Sequence, residues 1–341
     1  MTNIEIINPG LATTIQDLGR IGHQAQGIPV SGAIDQYAHR LANLLVNNSE
    51  KAATLEFSIL GPTIKFFADT FIAVTGADSS PMLNKLKINL NTTYSITKGD
   101  VLHFSPMSKG RFGYISFANN GIQVAPVLDS RSTNTRVKLG GYHGRLLIAG
   151  DNLKINECYT MPSLTNRIAE EQTLTNNIIH FIKGPQWSLF SENAKKAFQN
   201  EAFKISAQAD RMGFRLDGPT LEIPQKNMLS EGTVLGNVQI TRAGQPIVLL
   251  ADRQTAGGYP VIATIAATDL SKFVQFAYNT PLFFKEISIE DATTKLREKY
   301  HFLDNFADTI FKKRYQYPIG PIRKASKKIE KLLTNNQRSV M

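Results

Sequence analysis

Short apolar runs, each closed by a turn, recur through most of this chain and constrain its fold more than any other feature. Between residues 53 and 118 they occupy residues 55–57, 63–67, 71–76, 101–104 and 111–118. Glycine, proline and asparagine separate them, as turns between strands require. Many short strands at regular spacing are typical of a β-barrel or a β-sandwich. Few segments show helical periodicity, so we predict a mainly β fold with helices at residues 33–45, at residues 191–199 and within residues 289–303.

Length and composition narrow the class of protein. A chain of 341 residues suggests about two domains, and 42% hydrophobic with 19% charged residues is ordinary for a globular protein with a core. No apolar run approaches the roughly 20 residues of a membrane-spanning helix, and no signal sequence opens the chain. Cys158 is the only cysteine, which excludes an internal disulfide or a cysteine cluster for zinc. We therefore expect a cytoplasmic protein without membrane contact.

The net charge of +10 is concentrated in the C-terminal tail. Nine basic residues and one acidic residue lie between positions 312 and 338, so the remainder of the chain carries only +2. Such a tail is usually a solvated extension and sometimes contacts an acidic partner. No recognition motif or interleaved aromatic residues accompany it, and we predict no specific nucleic-acid binding.

A polar loop at residues 251–260 is the first candidate site. The apolar runs 246–250 and 261–266 flank it, so two buried strands are expected to hold it. Gly257 and Gly258 permit positive φ or a close approach to a ligand. Asp252 and Arg253 can pair with each other, or Arg253 can bind a carboxylate or phosphate. The alternative, a tight hairpin whose Asp and Arg only brace the turn, stays open.

Two further loops are candidates. Residues 13–32 contain glycine at four- to five-residue spacing with polar residues between, which predicts a shaped loop. Residues 129–136 place Arg131 and Arg136 among hydroxyl side chains that could collect an anion. An ordinary exposed loop also explains the second pattern, and its run of Ser, Thr and Asn favours that interpretation.

Self-sufficient catalytic motifs are absent. The chain has no phosphate-binding Gly-Lys-Ser/Thr loop, no zinc-protease helix, no Gly-x-Ser-x-Gly elbow and no biotin-attachment sequence. His103 and His180 lie in apolar strands and are expected in the core. His23 and His143 lie in glycine-rich loops and are the better catalytic candidates among the histidines. The chain on its own lacks parts for nucleotide activation, which is consistent with a subunit that shares its site.

Three motifs carry a family resemblance. They are Thr13-Thr14-Ile15-Gln16-Asp17-Leu18-Gly19-Arg20, Pro29-Val30-Ser31-Gly32-Ala33-Ile34-Asp35 and Ala251-Asp252-Arg253-Gln254-Thr255-Ala256-Gly257-Gly258-Tyr259-Pro260. With these the chain resembles the C subunit of bacterial ATP-dependent 5-oxoprolinase, often labelled allophanate hydrolase subunit 2 or kinase-inhibitor antagonist. This family is related to half of the carboxyltransferase domain of urea carboxylase. The match runs from residue 4 to about residue 285.

The resemblance implies a domain plan and partners. It implies two cyclophilin-like β-barrel domains, which we place at residues 1–155 and 156–290, followed by a helix and the basic tail at residues 291–341. It also implies a complex with subunits B and A that opens 5-oxoproline to glutamate while hydrolysing ATP. The complex would use the ATP, and we predict no attached biotin and no metal in this chain.

The resemblance also suggests roles for individual residues. Arg131, Arg211 and Arg253 would steady anionic oxygens, Asp17 or Asp252 would orient them, and Gln254 would bond the lactam. The predicted catalytic residues are Asp252, Arg253 and Gln254. The predicted substrate-binding residues are Asp17, Arg20, Ser31, Arg131, Arg211, Thr255, Gly257, Gly258 and Tyr259.

Two alternatives to an enzyme subunit in lactam hydrolysis stay open. One is a non-catalytic binding module that antagonises a kinase-inhibiting homologue of the B subunit. The other is a carboxyltransferase-like partner in urea or allophanate metabolism, which the lack of a fused biotin domain disfavours.

Overall fold

The computed structural model describes residues 4–158, 167–169, 176–224 and 228–313, with side chains up to residue 309. Most of the weakly patterned segment 154–176 and the basic tail beyond residue 313 lie outside these ranges. No helix within them combines the length and the apolar character that crossing a membrane requires.

The first half of the chain forms two antiparallel sheets around one core. Its elements are β1 (Ile4–Asn8), β2 (Ala12–Gln16), α1 (Gln36–Leu45), β3 (Thr54–Ser58), β4 (Thr63–Phe66), β5 (Thr70–Asp78), β6 (Met82–Leu83), β7 (Leu86–Lys87), β8 (Thr92–Ile96), β9 (Val101–His103), β10 (Lys109–Phe117) and β11 (Asn152–Leu153). One sheet has the order β11-β1-β4-β9-β6-β7 and the other β2-β3-β10-β5-β8. Alternate side chains such as Ile6, Phe66, Leu55 and Phe117 fill the space between the sheets.

The second half forms a closed barrel. Its elements are β12 (Ile178–Lys183), α2 (Glu192–Asn200), β13 (Phe203–Ala209), β14 (Gly213–Asp217), β15 (Glu231–Gly232), β16 (Asn237–Ile240), β17 (Pro246–Leu249), β18 (Ala256–Gly257), β19 (Val261–Ile265), α3 (Ala267–Val274), β20 (Pro281–Glu286) and α4 (Ile289–Lys313). Seven strands close in the order β12-β19-β16-β17-β14-β13-β20, and β15 pairs with β18 in a separate ribbon. All barrel pairs are antiparallel except β12 with β20. The predicted mainly β class is confirmed, with two sheets around one core in the first half and a closed barrel in the second.

Helix starts follow local capping chemistry. The predicted helix at residues 33–45 begins only at Gln36, because the Asp35 side chain accepts a hydrogen bond from the N–H of Ala38 (3.1 Å) and so caps the helix. Ser191 caps α2 in the same way through Ala194 N–H (3.2 Å). The buried face of α1 contains Ala38, Leu41, Ala42 and Leu45, as its periodicity predicted.

The two halves share packing and hydrogen bonds. Phe112 and Tyr114 of β10 belong to the same core cluster as Phe214 and the other barrel residues. The Arg111 guanidinium carbon lies 4.4 Å from the ring centroid of Phe214 and 4.1 Å from that of Tyr278. Stacking between two rings is a favourable environment for a guanidinium with little access to water. The halves therefore meet over a continuous apolar and aromatic contact.

Three local predictions need correction. The loop predicted for residues 13–32 begins with strand β2, whose Thr13, Thr14 and Ile15 are buried by pairing with β3. His103 is exposed instead of lying in the core, because β9 places it on the outer face, where it bonds Thr63. His180 is half-buried and bonds Asp269 (2.9 Å) instead of packing among apolar side chains.

Candidate functional site

The three sequence motifs converge where the two halves meet. Arg20 N–H donates to the Val30 carbonyl (2.8 Å), and Ser31 N–H donates to the Ala251 carbonyl (3.0 Å). Ala33 N–H reaches the Asp17 carbonyl (2.8 Å). We call residues 17–20, 30–33, 130–134 and 250–253 the loop junction. Main-chain hydrogen bonds fix its loops against one another, although 250–253 belong to the barrel half.

Asp17 organises the loop junction. Its Oδ1 accepts hydrogen bonds from Ser130 Oγ (2.7 Å), Ser132 Oγ (2.5 Å) and Gly19 N–H (2.8 Å). Its Oδ2 accepts from the N–H of Arg131 (2.5 Å). Four donors hold a buried carboxylate in one orientation. The loop at residues 129–136 is therefore not an ordinary exposed loop, because the hydroxyl groups of Ser130 and Ser132 face inward to Asp17.

Arg20 lies beside this carboxylate and is almost fully buried, with 1% of its surface exposed. Its Nη2 donates to the Ser132 carbonyl (2.5 Å), while Nε and Nη1 find no acceptor among the described residues. Burial lowers the pKa of Arg20, against the opposing attraction of Asp17 and Asp252. A guanidinium with such donors keeps the capacity to bind an anion.

Arg211 connects the two halves through charge. All three of its nitrogens donate: Nε to Asp252 Oδ2 (2.9 Å), Nη1 to Glu56 Oε1, and Nη2 to the Gly32 carbonyl (2.6 Å). Burial would lower the pKa of Arg211, but Asp252 and Glu56 outweigh it and hold the pKa above its usual value. The partner of Asp252 is therefore Arg211, not its neighbour Arg253.

Glu56 completes this charged group from the first half and is 3% exposed. Its Oε2 accepts from Tyr114 Oη (2.7 Å) and from Ile34 N–H (2.9 Å). Burial raises the pKa of Tyr114, so its phenol stays protonated and donates. Two carboxylates, one from each half, thus enclose one guanidinium.

Arg253 is buried close to its own backbone. Its Nη1 lies 3.3 Å from the Leu250 carbonyl, and its Nε has no acceptor in the described part of the chain. Burial lowers the pKa of Arg253. Arg253 is therefore, with Arg20, a second junction arginine with unsatisfied donors.

Two other predicted junction residues make structural contacts. Ser31, at φ 59°, accepts a hydrogen bond from Asn134 Nδ2 (3.0 Å) through its hydroxyl oxygen. Arg131 Nε donates to the Val124 carbonyl (2.9 Å). The first contact joins two junction loops, and the second ties the loop 130–134 to residue 124 outside the junction.

The second part of the polar loop leaves the junction and forms the ribbon. Thr233 N–H donates to the Thr255 carbonyl (3.0 Å), and its hydroxyl donates to the Gln254 carbonyl. Gly257 then pairs with Glu231. Neither Gly257 nor Gly258 has positive φ, so the expected left-handed backbone is not the reason for these glycines.

Two cavities flank the ribbon and the adjoining barrel face. The first, which we call the amide cavity, has a volume of about 180 Å³, and Glu231, Asn237, Gln239, Gly257 and Tyr259 are among its lining residues. The second, the arginine cavity, has a volume of about 250 Å³. Among its lining residues are Arg136, Asp210, Arg215, Gln239, Gln254 and Tyr259. Gln239 and Tyr259 line both cavities, which are therefore neighbours.

A third cavity of about 270 Å³ lies between α1, α3 and α4, and no predicted site residue lines it. The predicted residues consequently fall into two groups. Asp17, Arg20, Ser31, Arg131, Arg211, Asp252 and Arg253 lie at or against the junction, whereas Gln254, Thr255, Gly257, Gly258 and Tyr259 belong to the ribbon region.

Three residues around these groups were not named as site candidates from the sequence: Glu56, Arg215 and Gln239. For Gln239 the signal was present, because the polar-apolar alternation of Asn237-Val238-Gln239-Ile240 places two amides on the face opposite the core. For Glu56 and Arg215 no local signal exists, since their neighbours come from distant segments.

Comparisons with known proteins agree with this architecture. Residues 26–286 match the family described as carboxyltransferase domain, subdomain A and B. The chain is 35% identical over 305 residues to the C subunit of 5-oxoprolinase from Escherichia coli K12, covering 89% of this chain and 97% of that protein. It is 32% identical to the C subunit of 5-oxoprolinase from Haemophilus influenzae, with 91% and 99% covered.

A solved structure shows the same arrangement within a longer protein. The K. lactis urea amidolyase superposes with a TM-score of 0.81 at 30% identity over 90% of this chain, which spans only 20% of that chain. Matches over nearly the whole length of two 5-oxoprolinase C subunits, together with the shared fold, settle the family. The chain belongs to the carboxyltransferase-domain family, subdomains A and B, within the group of 5-oxoprolinase C subunits.

Proposed function

We propose that this chain is one subunit of a heteromeric, ATP-hydrolysing complex that opens 5-oxoproline to glutamate together with subunits A and B. The observation that carries the proposal is the 35% identity to the C subunit of the E. coli 5-oxoprolinase, over 97% of that protein. Because ATP is consumed, we place the complex in the cytoplasm.

Opening a lactam requires activation of a stable amide carbonyl. Transfer of the ATP γ-phosphoryl group to the lactam oxygen would leave ADP and convert that oxygen into a leaving group. Water then adds to the carbon, the C–N bond breaks, the nitrogen takes a proton, and an acyl phosphate remains. A second water hydrolyses the acyl phosphate to the carboxylate of glutamate and inorganic phosphate. The charge that develops on oxygen needs cationic or N–H donors in fixed positions.

Arg20 and Arg253 are the junction arginines that we assign to this charge. Both are buried and both retain N–H groups without an acceptor among the described residues. These donors are covered in the chain alone, so the assignment requires the junction loops to move when the partner subunits bind. Sites shared between subunits commonly close in this way.

Arg211 and Asp252 take a positioning role in this proposal. The Glu56 and Asp252 carboxylates already occupy the Arg211 guanidinium. Asp252 in turn precedes Arg253, so the ion pair fixes the backbone from which Arg253 extends. Asp17 positions Arg20 in a similar way. It holds residues 130–132 by hydrogen bonds, and the Ser132 carbonyl accepts a hydrogen bond from Arg20.

Reconstitution tests the proposal. The chain is mixed with subunits A and B, and ATP-dependent release of glutamate from 5-oxoproline is measured, with each component omitted in turn. We expect glutamate only from the full mixture. Tight binding to the B subunit by folded proteins without glutamate release would instead support the binding-module alternative.

The junction is tested in the same assay with Arg253→Ala. We expect turnover to fall at least tenfold while assembly, followed by gel filtration, stays intact. Unchanged turnover would remove Arg253 from the site. Arg242→Ala on the barrel surface is the matched control, because Arg242 is exposed and lies outside the junction.

A further inference from the structure

Gln239 carries a nearly buried polar side chain whose position apolar packing does not explain. Its side chain is 2% exposed, and its amide forms no hydrogen bond within the described residues but keeps some access to the adjoining space. A nearly buried amide in a protein normally has a hydrogen-bond donor or acceptor as its partner. Gln239 instead lines both the amide cavity and the arginine cavity. Its donor and acceptor are therefore available to a molecule in that space.

Strand β16 explains why the amide points there. Val238 and Ile240 face the barrel core, so Asn237 and Gln239 face the opposite side, under the ribbon. Asn237 uses its Oδ1 to accept from Thr264 Oγ1 (3.0 Å), while its Nδ2 has no acceptor in the described ranges. A second amide donor thus lines the same cavity.

The ribbon covers Gln239 closely, and Gly257 makes this possible. A Cβ at Gly257 would lie 2.6 Å from Gln239 Nε2, a distance that side chains do not tolerate. Gln186 holds the other ribbon strand, since its Nε2 donates to Glu231 Oε2 (3.1 Å) and its Oε1 accepts from Val261 N–H (3.0 Å). The ribbon is consequently tied down beside an unpaired amide.

The arginine cavity adds positive charge next to this amide. Arg136 and Arg215 line it, and both are exposed. Asp210 is the acid there, but its Oδ1 already accepts from Met212 N–H (2.8 Å) and Gly213 N–H (3.1 Å). Tyr259 lies at the boundary between the cavities with 41% of its surface exposed, which leaves a ring available to a flat ligand.

We propose that the two cavities form one binding site for a small planar molecule that carries an amide or lactam group and a carboxylate. Gln239, with Asn237 and Gln254 beside it, pairs with the amide, whose donor and acceptor are complementary to its own. Arg136 and Arg215 bind the carboxylate. With a combined volume of a few hundred Å³, the cavities suit a ligand of about ten heavy atoms.

The choice of 5-oxoproline as the probe rests on the proposed function, whereas the ligand class rests on the cavity. Isothermal titration calorimetry uses the full chain and, separately, the assembled complex without ATP. 5-Oxoproline is compared with proline, which lacks the lactam carbonyl, with 2-pyrrolidinone, which lacks the carboxylate, and with urea. We expect 5-oxoproline to bind at least tenfold more tightly than each of the other three.

Gln239→Leu is the decisive variant. It should weaken 5-oxoproline binding about tenfold or more, because the pairing to the ligand amide is lost. It should not lower the urea midpoint of unfolding of the free chain, because no protein hydrogen bond is lost. Gln199→Leu on α2, which removes an exposed contact to Glu286 (3.3 Å), is the matched control and should leave binding unchanged.

The outcomes separate this inference from the proposed function. If the complex releases glutamate but 5-oxoproline binding and the KM are the same in Gln239→Leu, the cavity assignment is overturned and the function stands. If the wild-type chain binds 5-oxoproline through Gln239 but no complex releases glutamate, the cavity stands and the function fails. Tighter binding of urea than of 5-oxoproline would overturn the carboxylate part of the assignment.

Discussion

Arg211 shows how one side chain can join two halves of a protein. It lies between Glu56, from the sheet half, and Asp252, from the barrel half, and both carboxylates are buried. Removing one partner of a buried ion pair leaves an uncompensated charge, which costs more than the pair itself contributes.

We expect Arg211→Met to lower the free energy of unfolding by about 3–5 kcal/mol, because two buried carboxylates lose their cation. Urea unfolding at neutral pH measures this. The control is Lys183→Met, since the Lys183–Glu286 pair (2.8 Å) is largely exposed and should contribute less than about 1 kcal/mol. Equal effects of the two changes would contradict the proposed role of the buried pair.

His39 is a second residue whose environment decides its chemistry. It is fully buried in α1, where Nδ1 lies 2.9 Å from Thr54 Oγ1 and Nε2 lies 3.0 Å from the Glu50 carbonyl. Burial lowers the pKa of His39 to about 4. In the unfolded chain the pKa of a histidine is about 6.5. Below this pH the unfolded chain therefore binds a proton that the folded chain excludes.

The sign of the pH dependence follows. Stability from neutral His39 is fully present above pH 6.5 and is lost as the pH falls from there toward 4. When the pH is lowered from 7 to 5, we expect the free energy of unfolding of the wild type to fall by about 2 kcal/mol more than that of His39→Gln, in which this titration is absent. Urea midpoints at both pH values test this, and parallel losses in the two proteins would refute it.

At the scale of elements, the ribbon of β15 and β18 separates the two functions of the polar loop. Residues 250–253 end in the junction, and residues 254–259 cover the barrel face above Gln239. Because the ribbon has only two short strands, its position depends on contacts with the barrel such as Gln186–Glu231.

We expect Gly257→Ala to displace the Gln239 amide, because the added Cβ would lie 2.6 Å from a flexible side-chain end. The fold should persist, while 5-oxoproline affinity falls severalfold. Gly258→Ala is the matched control, because Gly258, although predicted from the sequence to bind substrate, lines neither cavity. Its Cβ would meet only Ser230 Oγ at 3.7 Å. Calorimetry on both variants measures the difference, and equal affinities would exclude the close packing as a determinant.

Across the whole molecule, Gln275 at the end of α3 connects the halves. Its Oε1 accepts from the N–H groups of Arg111 (2.9 Å) and Phe112 (3.1 Å), and its Nε2 donates to Asp35 Oδ2 (2.8 Å) and the Phe112 carbonyl (2.9 Å). One amide side chain thus satisfies an edge of β10 and the cap of α1. Because the halves also share a core, we expect them to unfold as one cooperative unit.

We expect Trp187 fluorescence, which reports on the barrel, and far-UV circular dichroism, which reports on both halves, to give coincident urea transitions in wild type. Gln275→Leu should lower the free energy of unfolding by about 2–4 kcal/mol, because it leaves backbone N–H groups of β10 unpaired. Gln199→Leu should change it by less than about 0.5 kcal/mol. Separate transitions in wild type would contradict the single unit.

Much of the fold could be predicted because strand and turn signals are local. The apolar runs that form β4, β10, β17 and β19 depend on neighbours within a few residues, and the mainly β class follows from them. The motifs likewise identified the family, because they are contiguous in the chain.

Pairing between distant side chains could not be predicted in this way. Asp252 and Arg253 are adjacent in sequence, yet Asp252 pairs with Arg211, and the hydroxyls of residues 130–132 turn inward only because Asp17 lies opposite them. The closure of the barrel and the strand order of the sheets determine which distant side chains come into contact. Strand periodicity thus determined which residues could be buried, whereas the tertiary structure decided which buried polar groups found partners and which, like the Nε atoms of Arg20 and Arg253, found none among the described residues.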